Sequence, residues 1–244
     1  MRTILERRNG RLRVGALVLG LLATALFVFS ATAGAANVVS ASSLIKATDA
    51  AITKAGSAHV DFVAHSSSAS RTETILADVG TNSGKELVSS NKAVLSVEVT
   101  TTDAYVEGNA LGLTTLFGLS SADAKKLGHK WEVWKSGTSK YRAIKADVTL
   151  PSITGLLPKA KGTNVSTDVV DGTTYDVLNW TVAATKSTPK VTNKFNVSTG
   201  AMTLPTTEVS TDSEGTATST LSDWGEPISV TAPPPGSTMA SSKL

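Results

Sequence analysis

Short runs that alternate apolar with polar residues, each closed by a turn signal, recur along most of this chain and dictate a sheet. Val60, Phe62 and Ala64 alternate with Asp61, Val63 and His65. Ile75, Ala77 and Val79 share one parity in residues 72–79, and Leu95, Val97 and Val99 share one further on. Successive side chains of a strand point to opposite faces, so each run has one apolar and one wet face. Asn82-Ser83-Gly84 is a turn before a strand over 86–89, and 104–106 is a short strand ended by Glu107-Gly108-Asn109. Consecutive strands joined by short turns predict an antiparallel meander. The last third repeats the pattern. Residues 164–170 and 174–182 flank Asp171-Gly172, a strong hairpin signal, and 191–197 and 201–209 flank Ser198-Thr199-Gly200. Residues 216–221 and 228–230 are read as the final strands. The abundance of Thr and Val fits, because branched side chains pack well on a pleated surface.

Two segments depart from period two. Residues 37–56 predict one helix, with Leu44, Thr48, Ala51, Ile52 and Ala55 on one stripe. Ser42 or Ser43 would cap it and Gly56 would end it. In the middle, Leu111, Leu113, Leu116, Phe117 and Leu119 fall within nine residues. Ser120 or Ser121 then caps a short helical turn ended by Gly128. Residues 131–134 return to strand alternation, with Trp131 and Trp134 on opposite faces. Residues 139–157 read as partly helical, with Ile153, Leu156 and Leu157 together before Pro158. Pro233-Pro234-Pro235 cannot donate ladder hydrogen bonds, so residues 233–244 are expected to be a disordered tail.

The first residues point to export. Arg2, Arg7, Arg8, Arg11 and Arg13 precede a charge-free run over 14–29, followed by Ala31-Thr32-Ala33-Gly34-Ala35-Ala36. A basic region, an apolar core and small residues at alternate positions make a secretory signal peptide over 1–35, cleaved after Ala35. The other reading is an uncleaved signal anchor, since the run reaches spanning length when 30–36 is added. The chain would therefore be secreted or held in the cell envelope, with a single domain over 37–232. The leader also explains the basic charge balance. The chain has 23 basic and 20 acidic residues, of which 1–35 hold five and one, leaving 18 and 19 and a net of −1. Nucleic-acid binding needs a clustered cationic face, which the remainder lacks. The absence of cysteine excludes disulfides, zinc–thiolate sites and a lipidated N-terminal Cys.

No catalytic or metal-binding constellation emerges. His59 and His65 are six apart in one strand, about 20 Å, too far to share a metal. His129 lies in a Gly-His-Lys turn. The Gly-x-Ser-x-Gly elbow, the dinucleotide glycine fingerprint and the phosphate loop are all missing. The expectation is a non-enzyme without cofactor.

Several local matches resemble a known family. They are Gly56 to His59 leading into the first strand, Asp103-Ala104-Tyr105-Val106-Glu107, Trp131 to Trp134, and Val170-Asp171-Gly172-Thr173-Thr174-Tyr175. Most specific is Leu221-Ser222-Asp223-Trp224-Gly225-Glu226-Pro227 before Val230-Thr231-Ala232-Pro233-Pro234. This layout, over 41–235, resembles the actinobacterial envelope lipoproteins of the LppX/LprAFG group, and more distantly the LolA and LolB lipoprotein carriers. The resemblance implies an α+β fold: a strongly curved antiparallel β-sheet, a half-barrel, with helices covering the concave face and an apolar cavity between. It also implies the carriage of acylated lipids or glycolipids. The chain departs from the group in lacking the lipidated Cys.

The central apolar segments admit two readings. They could fill the space over the sheet, giving a structural module that binds an envelope protein or glycan. They could instead enclose a pocket for an apolar ligand, a lipid or glycolipid, met at a membrane surface or in solution. On that second reading Leu113, Leu116, Phe117, Trp134, Ile153, Leu156 and Leu157 form the wall.

Overall fold

A computed structural model describes residues 39–67, 72–185 and 188–244. The leader over 1–35 and the first residues of the expected helix lie outside them. Helix α1 runs Ala41–Ala55 and is capped by Ser40 rather than Ser42 or Ser43. The Ser40 hydroxyl accepts from the Ser43 amide at 3.2 Å. Gly56, at φ 77°, ends the helix in the left-handed region, where glycine carries no Cβ penalty. The buried stripe is Leu44, Thr48, Ala51 and Ile52.

Twelve strands form one open sheet. They are β1 (Ser57–Ser66), β2 (Thr72–Gly80), β3 (Gly84–Ser90), β4 (Ala93–Val99), β5 (Asp103–Gly108), β6 (Trp131–Lys135), β7 (Thr163–Val170), β8 (Thr173–Val182), β9 (Val191–Ser198), β10 (Pro205–Thr211), β11 (Gly215–Ser222) and β12 (Thr238–Ala240). The order is β12-β6-β5-β4-β3-β2-β1-β11-β10-β9-β8-β7. Two antiparallel meanders, β1–β6 and β7–β11, are thus joined where β1 pairs with β11. The sheet is a curved half-barrel, with the helices on its concave face.

Between β5 and β6 lie α2 (Ala110–Gly112), a π-helical turn (Leu113–Phe117) and α3 (Ser121–Leu127). Between β6 and β7 lie α4 (Ser139–Asp147) and α5 (Pro151–Thr154). Three of these starts are tied down by side chains. Asn109 Oδ1 accepts from the Gly112 amide at 2.7 Å, and its Nδ2 donates to the Lys92 carbonyl at 2.6 Å. Ser120 caps α3 and Thr138 caps α4. The Tyr141 hydroxyl lies 2.9 Å from the Thr100 and Thr101 carbonyls and pins α4 to the β4–β5 turn. Close approach needs glycine twice. A Cβ on Gly112 would stand 2.0 Å from the Val94 carbonyl oxygen, and one on Gly84 would stand 1.9 Å from that of Val148.

The main apolar cluster unites Val60, Phe62, Ile75, Val79, Leu95 and Val97 of the sheet with Leu113, Leu116, Phe117, Leu127, Ile144 and Ile153 of the helical segments. A second, smaller cluster joins Leu44 and Leu156 to Leu178, Phe195 and Val197.

Three sequence expectations change. Residues 201–204 precede β10 instead of belonging to it, because the ladder to β9 begins at Pro205 opposite Val197. Residues 228–230 form no strand, since both edges of β11 are already paired, to β1 and β10. The chain leaves β11 through Asp223 and Gly225, both at positive φ, and the Gly225 amide bonds to the Ser57 carbonyl. The tail is ordered where it was expected to be disordered: β12 pairs in parallel with β6, and Met239 and Leu244 pack against the main cluster. The prolines end the path along β11, but the residues beyond them carry amides that the open edge of β6 can pair.

Candidate functional site

The concave face is set by strand parity. On β6, Glu132 pairs with Val106 and Trp134 with Ala104, both inward residues, so Glu132 and Trp134 face the helices. Trp131 and Val133 face out, as the opposite parity of the two tryptophans requires.

Six of the seven expected wall residues come together. Leu113, Leu116, Phe117 and Ile153 are buried in the main cluster, with Trp134 and Leu157 against it. Leu156 belongs to the second cluster, and Leu157 touches both. These side chains contact one another and the inward residues of β1–β5.

Sequence reasoning missed the polar residues inside this apolar wall. Glu132 is only 1% exposed, and its Oε2 has no hydrogen-bond partner among the described residues. The Trp134 indole N–H is also buried and without an accepting partner in good geometry. The Lys140 ammonium of α4 lies 4.1 Å from the centre of the Phe117 ring and 5.6 Å from that of Trp134. A cation over aromatic faces is attracted by the ring quadrupole. Burial raises the pKa of Glu132, opposed by the Lys140 charge and the Trp134 indole and reinforced by Asp123. The available signal was parity: a strand that turns Trp134 inward turns Glu132 inward too.

The convex face carries a different arrangement. His59, Asp78, Lys85 and Glu98 stand in one row across β1–β4. His59 Nδ1 is 2.7 Å from Asp78 Oδ1, and Lys85 Nζ is 3.0 Å from Asp78 Oδ2. Burial pulls Asp78 upward, but hydrogen bonds and charge from His59 and Lys85 outweigh it and hold its pKa below the ordinary value. Burial raises Glu98, and repulsion from Glu107 adds to this. Beside the row, Leu76 and Leu87 pair across strands at 46% and 41% exposure. Together they line a shallow groove of about 320 Å³. His65 is also outward-facing, with its Nδ1 3.3 Å from the Thr72 hydroxyl.

No protein-family model and no curated protein matches the chain by sequence. Solved structures do match by shape. The Mycobacterium tuberculosis lipoprotein LppX is 16% identical, with a TM-score of 0.50 over 78% of this chain and 98% of its own. LprF from Mycobacterium bovis is also 16% identical, with a TM-score of 0.45 over 79% of this chain and 96% of its own. The chain therefore has the fold of LppX, and the sequence resemblance holds at the level of fold.

Proposed function

We propose that this protein is an exported, non-enzymatic envelope protein that binds or carries an apolar ligand, a lipid or glycolipid, between sheet and helices. One observation carries the reading. The segments after β5 and β6 lay five large apolar side chains, Leu113, Leu116, Phe117, Ile153 and Leu157, over the concave face of one half of the sheet, where Trp134 of β6 joins them. These segments are short, three to nine residues each, and separated by turns. Binding then rests on acyl burial, at about 0.8 kcal/mol per CH₂. The leader supplies the export signal, and the fold shared with LppX is consistent with an envelope role. With no Cys to lipidate, the chain is free of the membrane or held by its leader.

Native mass spectrometry of gently purified protein, with and without added lipid extract, tests this reading. A co-purifying lipid or a saturable lipid adduct is expected. If no lipid is retained and no acyl probe binds, the carrier reading fails.

A second reading has its own support. The expected wall residues pack against each other, and Leu76 and Leu87 stay exposed beside a charged row on the convex face. A structural module that docks an envelope protein or glycan through that face would have this form.

A further inference from the structure

Every interior strand of the sheet is paired on both sides, so its open backbone is confined to the two ends. At one end β12 is three residues long and runs straight into a 3₁₀ turn over Ser241–Lys243. At the other end β7 is eight residues long, and among the described residues it pairs with β8 alone. Sheet edges are normally blunted by lysine, proline, a bulge or brevity. β7 has no lysine and no proline, and its ladder keeps one register from Thr163 opposite Trp180 to Val170 opposite Thr173. Asp168 is its one charge, and it is tied to Lys194 of β9. Val169 and Val170 are 61% and 42% exposed.

The hairpin fixes which amides point outward. Asp171 and Gly172, at φ 50° and 78°, form a two-residue turn, which makes Val170 and Thr173 a hydrogen-bonded pair. Such pairs alternate along an antiparallel ladder, so Val170, Asp168, Ser166 and Asn164 bond to β8. Thr163, Val165, Thr167 and Val169 then turn their amides and carbonyls to the open side. Two of these amides are occupied locally. Thr163 donates to the Ala160 carbonyl at 3.3 Å, and Val169 donates to Asp168 Oδ1 at 2.9 Å. The amides of Val165 and Thr167 remain, without a partner among the described residues.

We propose that β7 is a self-pairing edge, which joins a second copy of this chain in an antiparallel ladder about a two-fold axis at Ser166. In that register Val165 of each copy faces Thr167 of the other, and each pair exchanges two hydrogen bonds. The open amides are thus satisfied by open carbonyls. A second copy fits because the pattern of open groups maps onto itself under that rotation. Asp168 then stands opposite Asn164 of the copy, so the one charge of β7 does not meet itself. The exposed Val169–Val170 end lies beside the chain that leads into β7, which brings Lys161 of one copy toward the Asp171 turn of the other. Two twelve-stranded sheets become one. Self-pairing at this edge does not depend on a ligand between sheet and helices.

The test uses the purified full chain, which has no cysteine of its own. Ser166→Cys puts a thiol on the proposed axis, and Ser136→Cys puts one in the exposed turn after β6. Under mild oxidation Ser166→Cys is expected to cross-link about tenfold faster, because pairing raises the effective concentration of one thiol at the other. In sedimentation velocity the wild type should pass from monomer to dimer as concentration rises. Thr167→Pro removes one open amide and leaves the β8 ladder intact, so it should stay monomeric with an unchanged circular dichroism spectrum. Equal cross-linking at the two sites, or a dimer that survives Thr167→Pro, overturns the proposal. So does a chain that is monomeric throughout, including one whose Val165 and Thr167 amides gain exchange protection only when another envelope protein is added, since the edge then belongs to a foreign strand. If Thr167→Pro fails to fold, the cross-linking comparison decides.

Discussion

The two meanders of this sheet use the same alternation but end in different interiors. In β1–β6 the inward positions are Val60, Phe62, Ile75, Ala77, Val79, Leu95, Val97, Val99, Ala104 and Val106, all buried against the helical segments. In β7–β11 the inward face holds Leu178, Phe195 and Val197 in a cluster of five with Val165 and Trp180 against it, Leu221 and Ala217 of β11 face the main cluster, and polar residues stand among them. Glu208 lies between Ser219 and Phe195 on that face, and Ser210 opposite Asn193 and Ala217. Glu208 accepts from Ser210 at 3.3 Å and from Ser219 at 3.2 Å, and Ser210 donates to Asn193 at 2.7 Å. The difference teaches that alternation makes strands, while what crosses the face decides whether a core forms. The segments between β5 and β7 land on the first meander. The second receives only the start of α1 and the Leu156–Leu157 corner.

The comparison can be broken most severely at Phe195. It is fully buried and is the aromatic ring among the five buried residues of its small cluster, with Trp180 packed against them. Phe195→Ala should destabilise by about 3–5 kcal/mol. Hydrogen exchange should quicken in β7–β10 while β2–β5 stays protected, because the two clusters share little but Leu157. Uniform loss of protection across both meanders would show that the halves are one cooperative unit.

A milder change strikes the other half. Gly112→Ala forces a Cβ against the Val94 carbonyl and should cost about 1–3 kcal/mol by thermal or denaturant unfolding. The loss should be felt at α2, the π-turn and β4, leaving β8 and β9 unchanged.

Two of the inward carboxylates, Glu208 and Glu132, should respond in opposite directions. Glu208→Gln weakens acceptors for Ser210 and Ser219 and should lower stability by about 1 kcal/mol. Glu132 has a pKa raised by burial above its ordinary 4.5, so the folded protein holds that proton more tightly than the unfolded chain. Its penalty is absent below the ordinary value and grows as pH rises through the raised one. The wild type should therefore lose stability over that window. Glu132→Gln, which does not titrate, should flatten the curve and be the more stable protein at neutral pH. A wild-type curve with no such fall would contradict this assignment.

The smallest effect is expected on the convex face. Asp78, held below its ordinary value, contributes stability that is present above that value and lost as pH falls through the lowered one. The site is partly solvated, so Asp78→Asn should cost less than about 1 kcal/mol at neutral pH and mainly flatten the acid limb of the stability curve.

Much of the architecture was legible in residues. Parity gave the inward and outward sets of β1, β2 and β4, and Asp171-Gly172 marked its hairpin, both residues adopting positive φ. The odd spacing of Trp131 and Trp134 by itself puts them on opposite faces. Of the residues expected to form a wall, Leu156 lies in the other cluster and the rest lie in or against the main one. The inward turn of Glu132 was not legible, because alternation does not say which parity faces in when both contain a tryptophan.

The sequence by itself determined the strands, their turns and the helical interruption, because these rest on local sterics and on periods of two and 3.6 residues. Tertiary structure alone decided that β1 closes against β11, that the tail returns to pair with β6, and that the helical segments cover one meander more fully than the other. Those outcomes depend on which edges remain unpaired and which faces remain wet once distant parts of the chain meet, and no local pattern carries that information.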